Sequence, residues 1–189
     1  YDNADNVYTR TDANQHTWTY GYDAANNLTS IKDPNGNAIT YSYDSNRNLM
    51  WEKLPSGLKT TYGYTNNNLT SITKTLTETG QQVVTNMSYY PDGELKTLQD
   101  PNQKTWSYGY DGDGNLNSVT DPLGNQTTYT YDADNRRQTM VAPKGNVPGG
   151  SPAAYTTHYT YDNIGRPTSV TDPLGHSTSW TYDDSGNLH

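Results

Sequence analysis

The sequence contains no cysteine and no phenylalanine among its 189 residues. Without cysteine the chain has no disulfide, no thiolate metal site and no thiol nucleophile. No apolar run approaches the roughly 20 residues that a membrane-spanning helix needs, so no membrane insertion is expected. No signal peptide is present and the chain starts at Tyr1, which favours a segment of a longer protein whose targeting signal lies elsewhere.

Basic residues are also scarce, because 12 Lys and Arg stand against 20 Asp and Glu and give a formal net charge of −8. Such a chain lacks the basic face that a nucleic-acid backbone requires, so nucleic acid is not an expected partner. Nearly all the acidic residues are Asp, the exceptions being Glu52, Glu78 and Glu94. Asp favours turns whereas Glu favours helix interiors, so this composition predicts a chain rich in turns.

Hydrophobic residues make up only 30% of the chain and the mean hydropathy is −1.04, values that taken alone would favour disorder. The aromatic content contradicts that interpretation, since the chain has 18 Tyr and 4 Trp. A tyrosine ring supplies an apolar surface while its hydroxyl reaches water or a polar partner. The chain is therefore expected to fold with tyrosine as its main packing residue.

A Tyr anchor, usually followed by Asp, recurs about every 21 residues. The recurrence predicts a single array over residues 1–189, with eight full units and the start of a ninth. The unit that begins at Tyr131 is longer, and its stretch rich in Gly and Pro near 145–153 is predicted to be a surface loop insertion. The units start near residues 1, 22, 43, 64, 89, 110, 131, 161 and 182.

Each unit combines two alternating segments with two turns. Residues 39–43 alternate large and small side chains with the period of a β-strand. In the turn Asp121-Pro122-Leu123-Gly124, Pro presets φ and Gly supplies a left-handed residue. No window shows helical periodicity. The sequence therefore predicts an all-β fold of tandem β-hairpin repeats that form a continuous antiparallel, curved sheet.

The second strand of each hairpin, called the return strand, has apolar residues that do not fit simple alternation. Leu28 and Ile31 are three residues apart, as are Leu116 and Val119. A regular strand would direct the two members of each pair to opposite faces. Either a β-bulge realigns them or both faces of the sheet are partly covered, and the sequence leaves these alternatives open.

The Tyr-Asp anchor, the Gly114-Asn115-Leu116 step and the Asp-Pro-Leu-Gly turn recur in a fixed order along the whole chain, which resembles the Rhs, or YD-repeat, family. That family includes bacterial polymorphic toxins, shell components of insecticidal toxin complexes and teneurins. The resemblance implies a YD-shell segment of a secreted or cell-surface protein, bacterial in origin, that encloses a toxin or the C-terminal segment of its parent chain. Wall-associated members also imply carbohydrate binding.

Shells of this family often end in an Asp-Pro-x-Gly-Leu motif linked to self-cleavage. In this chain Gly124 is followed by Asn125, and Gly175 is followed by His176, so the terminal Leu is missing from both turns. No autoproteolytic residue is therefore assigned.

The sequence from Asp111 to Pro122 is similar to the start of a calcium loop, since Asp113 and Asn115 follow at the spacing of such ligands. The Gly expected at the sixth position is Leu116, and the Glu expected at the twelfth is Pro122. The repeat explains these residues as a turn. We predict no metal site, no cofactor and no catalytic residue, and we interpret His16 and His176 as exposed residues that flank turns.

Two sets of aromatic residues are candidates for a role. The anchor tyrosines are expected to form a structural ladder on one face of the sheet, which the tyrosines two residues earlier should share. Three tryptophans in the strands that lead to these anchors are possible glycan-stacking residues, although packing of the sheet face is the simpler explanation. The ladder comprises Tyr22, Tyr43, Tyr64, Tyr89, Tyr110, Tyr131, Tyr161 and Tyr182, and the tryptophans are Trp18, Trp106 and Trp180.

Three functions stay open at this point. The first is a non-catalytic segment of a toxin-enclosing shell. The second is a carbohydrate-binding module of the cell surface. The third is a self-assembling extracellular β-fibre, in which the open sheet edges of successive copies pair with one another.

Overall fold

The described part of the chain consists almost entirely of β-strands. The computed structural model describes residues 1–2, 4–76 and 80–189, which form sixteen strands and two short 3₁₀ helices. The all-β fold predicted from the repeat is therefore confirmed. Among the described residues, no helix has the length and apolar character required to cross a bilayer.

The strands belong to two compact units of the chain, Tyr1–Tyr89 with Gln99–Gln103, and Tyr90–Leu98 with Lys104–His189. The first unit contains β1 (Thr9–Thr11), β2 (Thr17–Tyr22), β3 (Leu28–Lys32), β4 (Ala38–Tyr43), β5 (Leu49–Lys53), β6 (Lys59–Thr65), β7 (Asn68–Thr75) and β8 (Gln82–Tyr89). The second contains most of β9 (Leu95–Gln99), and all of β10 (Thr105–Tyr110), β11 (Leu116–Thr120), β12 (Gln126–Tyr131), β13 (Arg137–Val141), β14 (Thr156–Tyr161), β15 (Pro167–Thr171) and β16 (Ser177–Ser179).

Each strand pairs with the next strand along the chain. This holds from β1 to β8 in the first unit and from β10 to β16 in the second, and every one of these pairs is antiparallel. Short turns suffice to connect antiparallel neighbours, so the chain needs no crossover connection. Each repeat thus adds one hairpin to the meander.

A β-bulge in the return strand resolves the irregular spacing of its apolar residues. Tyr20 lies opposite Ile31 and Gly21 lies opposite Ser30, but Tyr22 then lies opposite Leu28, so that one extra residue stands in β3. The same shift recurs in the hairpins of Tyr43, Tyr64, Tyr110, Tyr131 and Tyr161. Because the extra residue restores the phase, both aliphatic residues of the return strand share a face with the two tyrosines.

The two turns of each repeat have the same backbone geometry, although their sequences differ. In the turn that begins at Asp121, the Gly124 amide donates to the Asp121 carbonyl at 3.0 Å, and Gly124 has φ of +84°. In the turn that begins at Asp23, Asn26 takes the same place with φ of +62°. Both are tight turns closed by one left-handed residue, a conformation that Gly and Asn adopt most readily.

The bulge and the alternation give the sheet two different faces. The face that carries the tyrosines and the aliphatic residues opposite them is called the Tyr face below. The other, called the hydroxyl face, carries mainly Thr, Ser and Gly, together with Trp51, Lys53 and Lys59. Its hydroxyls pair across strands, with 2.6 Å between the Oγ1 atoms of Thr130 and Thr139 and 2.7 Å between Thr171 Oγ1 and Ser177 Oγ.

No large side chain of the described residues is fully buried. Their only buried side chain is that of Thr156, which is 8% exposed, and the strand tyrosines are half-buried. A sheet of one layer has this property, because no second layer covers either face. Cohesion must therefore come from contacts between neighbouring strands and not from a core.

The long repeat contains a compact insertion in place of an open loop. Two 3₁₀ helices, Pro143–Gly145 and Pro152–Tyr155, fold against each other after β13. The Asn146 Nδ2 atom donates to the Gln126 carbonyl at 2.8 Å and to the Val141 carbonyl at 3.2 Å. These hydrogen bonds fix the insertion against the neighbouring strands.

The anchor tyrosines connect consecutive repeats through their hydroxyls. Six of them donate from Oη to the backbone carbonyl of the residue at or near the start of the preceding return strand, at 2.7–3.2 Å. Partial burial raises the pKa of the Tyr131 hydroxyl above its ordinary value of 10.0. The donor–acceptor pairs are Tyr22–Val7, Tyr64–Leu49, Tyr89–Leu69, Tyr131–Leu116, Tyr161–Arg137 and Tyr182–Pro167.

The stabilising role of the ladder stays a prediction that substitutions at Tyr131 test. Tyr131→Phe removes only the hydrogen bond to Leu116 and should lower the free energy of unfolding by about 1 kcal/mol. Tyr131→Ala also removes a half-buried ring and should lower it by about 2 kcal/mol or more. Urea melts measure both losses. Tyr1→Ala is the control, since Tyr1 is 85% exposed. If the free energy of unfolding fell as little for Tyr131→Ala as for Tyr1→Ala, the ladder would not hold the repeats together.

Candidate functional site

An Asp carboxylate organises most of the turns. In the turn that begins at Asp121, Oδ1 accepts the backbone N–H groups of Leu123 at 2.8 Å and Asn125 at 2.9 Å. Oδ2 accepts the Asn125 side-chain amide at 2.8 Å. A lone carboxylate therefore satisfies three donors that a short turn would otherwise leave to water.

The residue that donates to the second carboxylate oxygen varies between turns. It is most often Asn, but His16 donates to Asp12 at 3.1 Å and His176 to Asp172 at 2.9 Å through Nδ1. Their side chains are 56% and 77% exposed. The structure thus places both histidines beside turns and gives each of them the role of the Asn amide.

The residues that imitate a calcium loop form one of these turns. The Asp111 carboxylate accepts the backbone N–H groups of Asp113 at 3.0 Å and Asn115 at 2.9 Å. Over the described residues, no group of three or more His, Asp and Glu side chains is placed to hold a metal ion. The hydrogen bonds of the turn account for the sequence pattern at Asp111.

The hydrogen bonds hold the turn carboxylates in their charged form. At Asp121 the side-chain amide of Asn125 and then its backbone N–H lower the pKa below the ordinary value of 3.8. Donors to a carboxylate stabilise the anion and therefore disfavour its protonation. The pKa is lowered at eleven turns, those of Asp2, Asp12, Asp23, Asp33, Asp44, Asp111, Asp121, Asp132, Asp162, Asp172 and Asp183.

Two arginines extend a turn to the next repeat, a feature that the sequence analysis missed. Arg136 takes the place of the Asn amide and donates from Nε to Asp132 Oδ2 at 2.8 Å. Its guanidinium also donates to the Asp162 carbonyl at 3.2 Å and lies 5.2 Å from the centre of the Tyr161 ring. Arg166 stacks on the Tyr182 ring at 4.4 Å in the same way. The sequence signal for this feature was an Arg at the turn position where most other repeats have Asn.

One possible glycan-stacking residue, Trp18, lies in a groove of about 280 Å³ beside a turn. The other lining residues are His16, Asp33, Pro34 and Asn35. The groove therefore joins an indole ring with an imidazole, a carboxylate and an amide. Aromatic rings flanked by groups that donate and accept hydrogen bonds are typical of small polar ligand sites.

The other tryptophans have different surroundings. By alternation Trp106 shares the Tyr face with Tyr108 and Tyr110 in the second unit. Trp180 follows β16, where its backbone N–H donates to the Thr168 carbonyl at 2.9 Å. Neither tryptophan lines the groove of Trp18, so the three possible stacking residues are not brought together in one described site.

The turn carboxylates predict how stability depends on pH. Their folded pKa lies below the unfolded value of 3.8, so they stabilise the fold above about pH 4, and this contribution is lost as the pH falls through the lowered pKa. Asp121→Asn should therefore lower the urea midpoint at neutral pH and lower it less in acid below the lowered pKa, where the parent carboxylate is also protonated. Asp113→Asn, at an exposed position of another turn, is the control for net charge. An equal loss at both pH values would contradict this prediction.

Similar solved structures share this fold. The crystal structures of TcdB2-TccC3-Cdc42 and TcdB2-TccC3-TEV are each 20% identical to this chain, over 89% and 92% of its length, with TM-scores of 0.65 and 0.66. The Tc holotoxin pore of Photorhabdus luminescens, with a mutation in TccC3, is 20% identical over 92% with a TM-score of 0.66. Each match covers 10% of the other chain, so this chain spans about a tenth of their length.

The sequence comparisons identify the family directly. No curated protein matches the chain. The family model described as RHS Repeat matches residues 1–38, 22–50, 89–126, 112–147 and 161–188, which together make up well over half of the sequence. The matched segments contain the Tyr-Asp anchors and the turns described above. This chain belongs to the RHS repeat family.

Proposed function

We propose that this chain is a non-catalytic structural segment of a β-shell in a secreted or cell-surface protein, where it helps to enclose a toxin or the C-terminal segment of its parent chain. The observation that carries the proposal is a meander one layer thick, with chemically different faces and no buried core among its described residues. Such a strip suits a wall, since each added repeat lengthens it without requiring a second layer.

The two faces give a wall an asymmetry that enclosure requires. The Tyr face offers aromatic and aliphatic surface on which a polypeptide could lie, whereas the hydroxyl face offers Thr and Ser groups that water solvates. The likeness to TcdB2-TccC3 structures supports the fold of such a wall. The enclosed partner and the extracellular location are inferred by analogy with those toxin complexes.

A structural role also explains the acidic residues. The eleven turn carboxylates accept hydrogen bonds from their own turns, which lower their pKa. A general acid at neutral pH needs a raised pKa, so these carboxylates do not fit that role. The pKa of Glu94 is raised by desolvation and by the charges of Asp92 and Asp111, and we assign this residue no catalytic role. The segment is therefore proposed to contribute architecture and not catalysis.

Limited proteolysis of the longer parent protein tests enclosure. A segment inside the shell should be cut at least about tenfold more slowly than the same segment expressed alone, because proteolysis then requires the wall to open. Tyr131→Ala should increase the cutting rate by weakening contacts between repeats, whereas Tyr1→Ala should leave it unchanged. Equal rates for the enclosed and isolated segments would refute the shell proposal.

A second candidate function is carbohydrate binding, which the groove at Trp18 favours. The indole can stack on the apolar face of a sugar ring, while the Asp33 carboxylate and the Asn35 amide can bind its hydroxyls. The groove lies at a turn and is separate from the tyrosine contacts between repeats. A shell segment could therefore carry such a site without a change of fold.

Tryptophan mutants distinguish this second function. On a glycan array, Trp18→Ala should reduce binding by about tenfold, since loss of an aromatic anchor costs more than 1 kcal/mol at many binding sites. Trp51→Ala is the matched control, because Trp51 pairs with Ser42 on the hydroxyl face and lies under the Lys59 ammonium. Equal effects of the two substitutions, or no bound glycan, would exclude the groove as a sugar site.

Fibre formation stays a third prediction. The strands β1 and β16 are exposed along their length and could pair with the edges of other copies. Light scattering of the purified chain over a range of concentrations separates this possibility from the first two.

A further inference from the structure

One row of residues on the Tyr face is apolar in all but one of the hairpins whose pairing is described. The row consists of the residues that lie opposite the earlier tyrosine of each hairpin. Glu52 occupies this row opposite Tyr41, where the other hairpins have Ile, Val or Met. The apolar members are Ile31, Ile72, Val119, Met140 and Val170.

Glu52 lies between two tyrosines on adjacent strands. Tyr41 of β4 is directly opposite it, and Tyr62 of β6 donates from Oη to Glu52 Oε1 at 3.2 Å. Burial raises the pKa of both tyrosines, and the Glu52 charge raises it further. The Glu52 residue as a whole is half-buried.

No Lys or Arg of the described residues forms an ion pair with Glu52. The nearest lysines in sequence are on the hydroxyl face, since Lys53 follows Glu52 in the strand and pairs with Lys59. The Lys59 ammonium is 4.6 Å from the centre of the Trp51 ring on that face. Lys74 of β7 lies on the Tyr face in the same cross-strand row, since Thr60 of β6 pairs with both Glu52 and Lys74, but it forms no ion pair with Glu52. Within the first unit, Glu52 therefore presents its negative charge on the Tyr face without an ion-pair partner among the described residues.

The surroundings of Glu52 are complementary to a cation. The faces of the tyrosine rings carry partial negative charge, so they attract an ammonium or guanidinium group and do not favour a carboxylate. A carboxylate beside such rings offers a positive charge both an ion-pair partner and aromatic faces.

We propose that Glu52, Tyr41 and Tyr62 form a site for an arginine or lysine side chain of a polypeptide that lies on the Tyr face of the first unit. The carboxylate supplies the charge and one hydrogen-bond acceptor, and the two rings supply cation–π contacts. That this polypeptide is the enclosed segment rests on the proposed shell function, whereas the cation site itself does not. The two can therefore fail separately.

The test uses the purified chain and N-acetyl-arginine amide, a probe with a single positive charge. Titration followed by NMR should give saturable shifts of the Tyr41 and Tyr62 ring signals. Glu52→Gln should weaken binding by about fivefold or more, the size expected for an exposed ion pair combined with a cation–π contact. N-acetyl-norleucine amide, which lacks the charge, should bind no better to the parent than to Glu52→Gln.

Two variants control the interpretation. Asp113→Asn removes the same charge from an exposed turn and should leave binding unchanged, so an equal loss would show only a general effect of net charge and overturn the site. Glu52→Ile restores the apolar row, and its urea midpoint verifies that the site can be removed without loss of the fold. If the Glu52→Ile variant still bound the arginine probe as tightly as the parent, the proposal would be overturned. It would also be overturned if the chain formed a dimer that the probe dissociates, because a second copy of the chain would then be the occupant.

Discussion

A sheet one layer thick cannot bury its side chains in a core, and the whole structure depends on how this chain compensates for that constraint. The compensation is local, because each repeat bonds to the one before it. The Tyr131 hydroxyl reaches the Leu116 carbonyl of the preceding repeat, and Arg136 reaches forward to Asp162 and Tyr161. Stability in such an array is approximately the sum of the units and their contacts with neighbours, so a contact that recurs along the chain stabilises it throughout. The hydroxyl bond recurs at six of the eight ladder tyrosines, which explains why tyrosine, with a ring and a hydroxyl, takes the place of phenylalanine.

The β-bulge converts these contacts into two distinct surfaces. Without the extra residue in the return strand, Leu28 and Ile31 would lie on opposite faces, and the hydroxyl face would gain an aliphatic residue in each repeat. With it, both accompany the tyrosines, and Ser30 lies opposite Gly21 on the other side. The proposed shell, the Trp18 groove and the Glu52 site all depend on this segregation. A wall with identical faces would offer a partner no preferred side.

Variation within the repeat is concentrated at positions where the backbone does not depend on the side chain. The donor to the turn carboxylate can be Asn, His or Arg, because each presents an N–H at the same place, as His16 and Arg136 show. Glu52 likewise replaces an aliphatic residue without altering the register of β5. The frame is therefore constant while single positions acquire charge or hydrogen-bonding groups. In a repeat protein, recognition is expected to reside at such positions.

The sequence by itself determined the repeat, the two strands and two turns of each unit, the all-β fold and the left-handed glycine of the Asp-Pro turns, because all of these follow from short-range periodicity and turn chemistry. It also indicated that an irregularity exists between Leu28 and Ile31. Only the tertiary structure decided that a bulge accounts for it, that both turn types share one carboxylate geometry, and which carbonyl each tyrosine reaches. The partners of Arg136, the groove beside Trp18 and the position of Glu52 between Tyr41 and Tyr62 were likewise decided there. The physical reason is that these features depend on the register between strands, and a difference of one residue in that register exchanges the two faces.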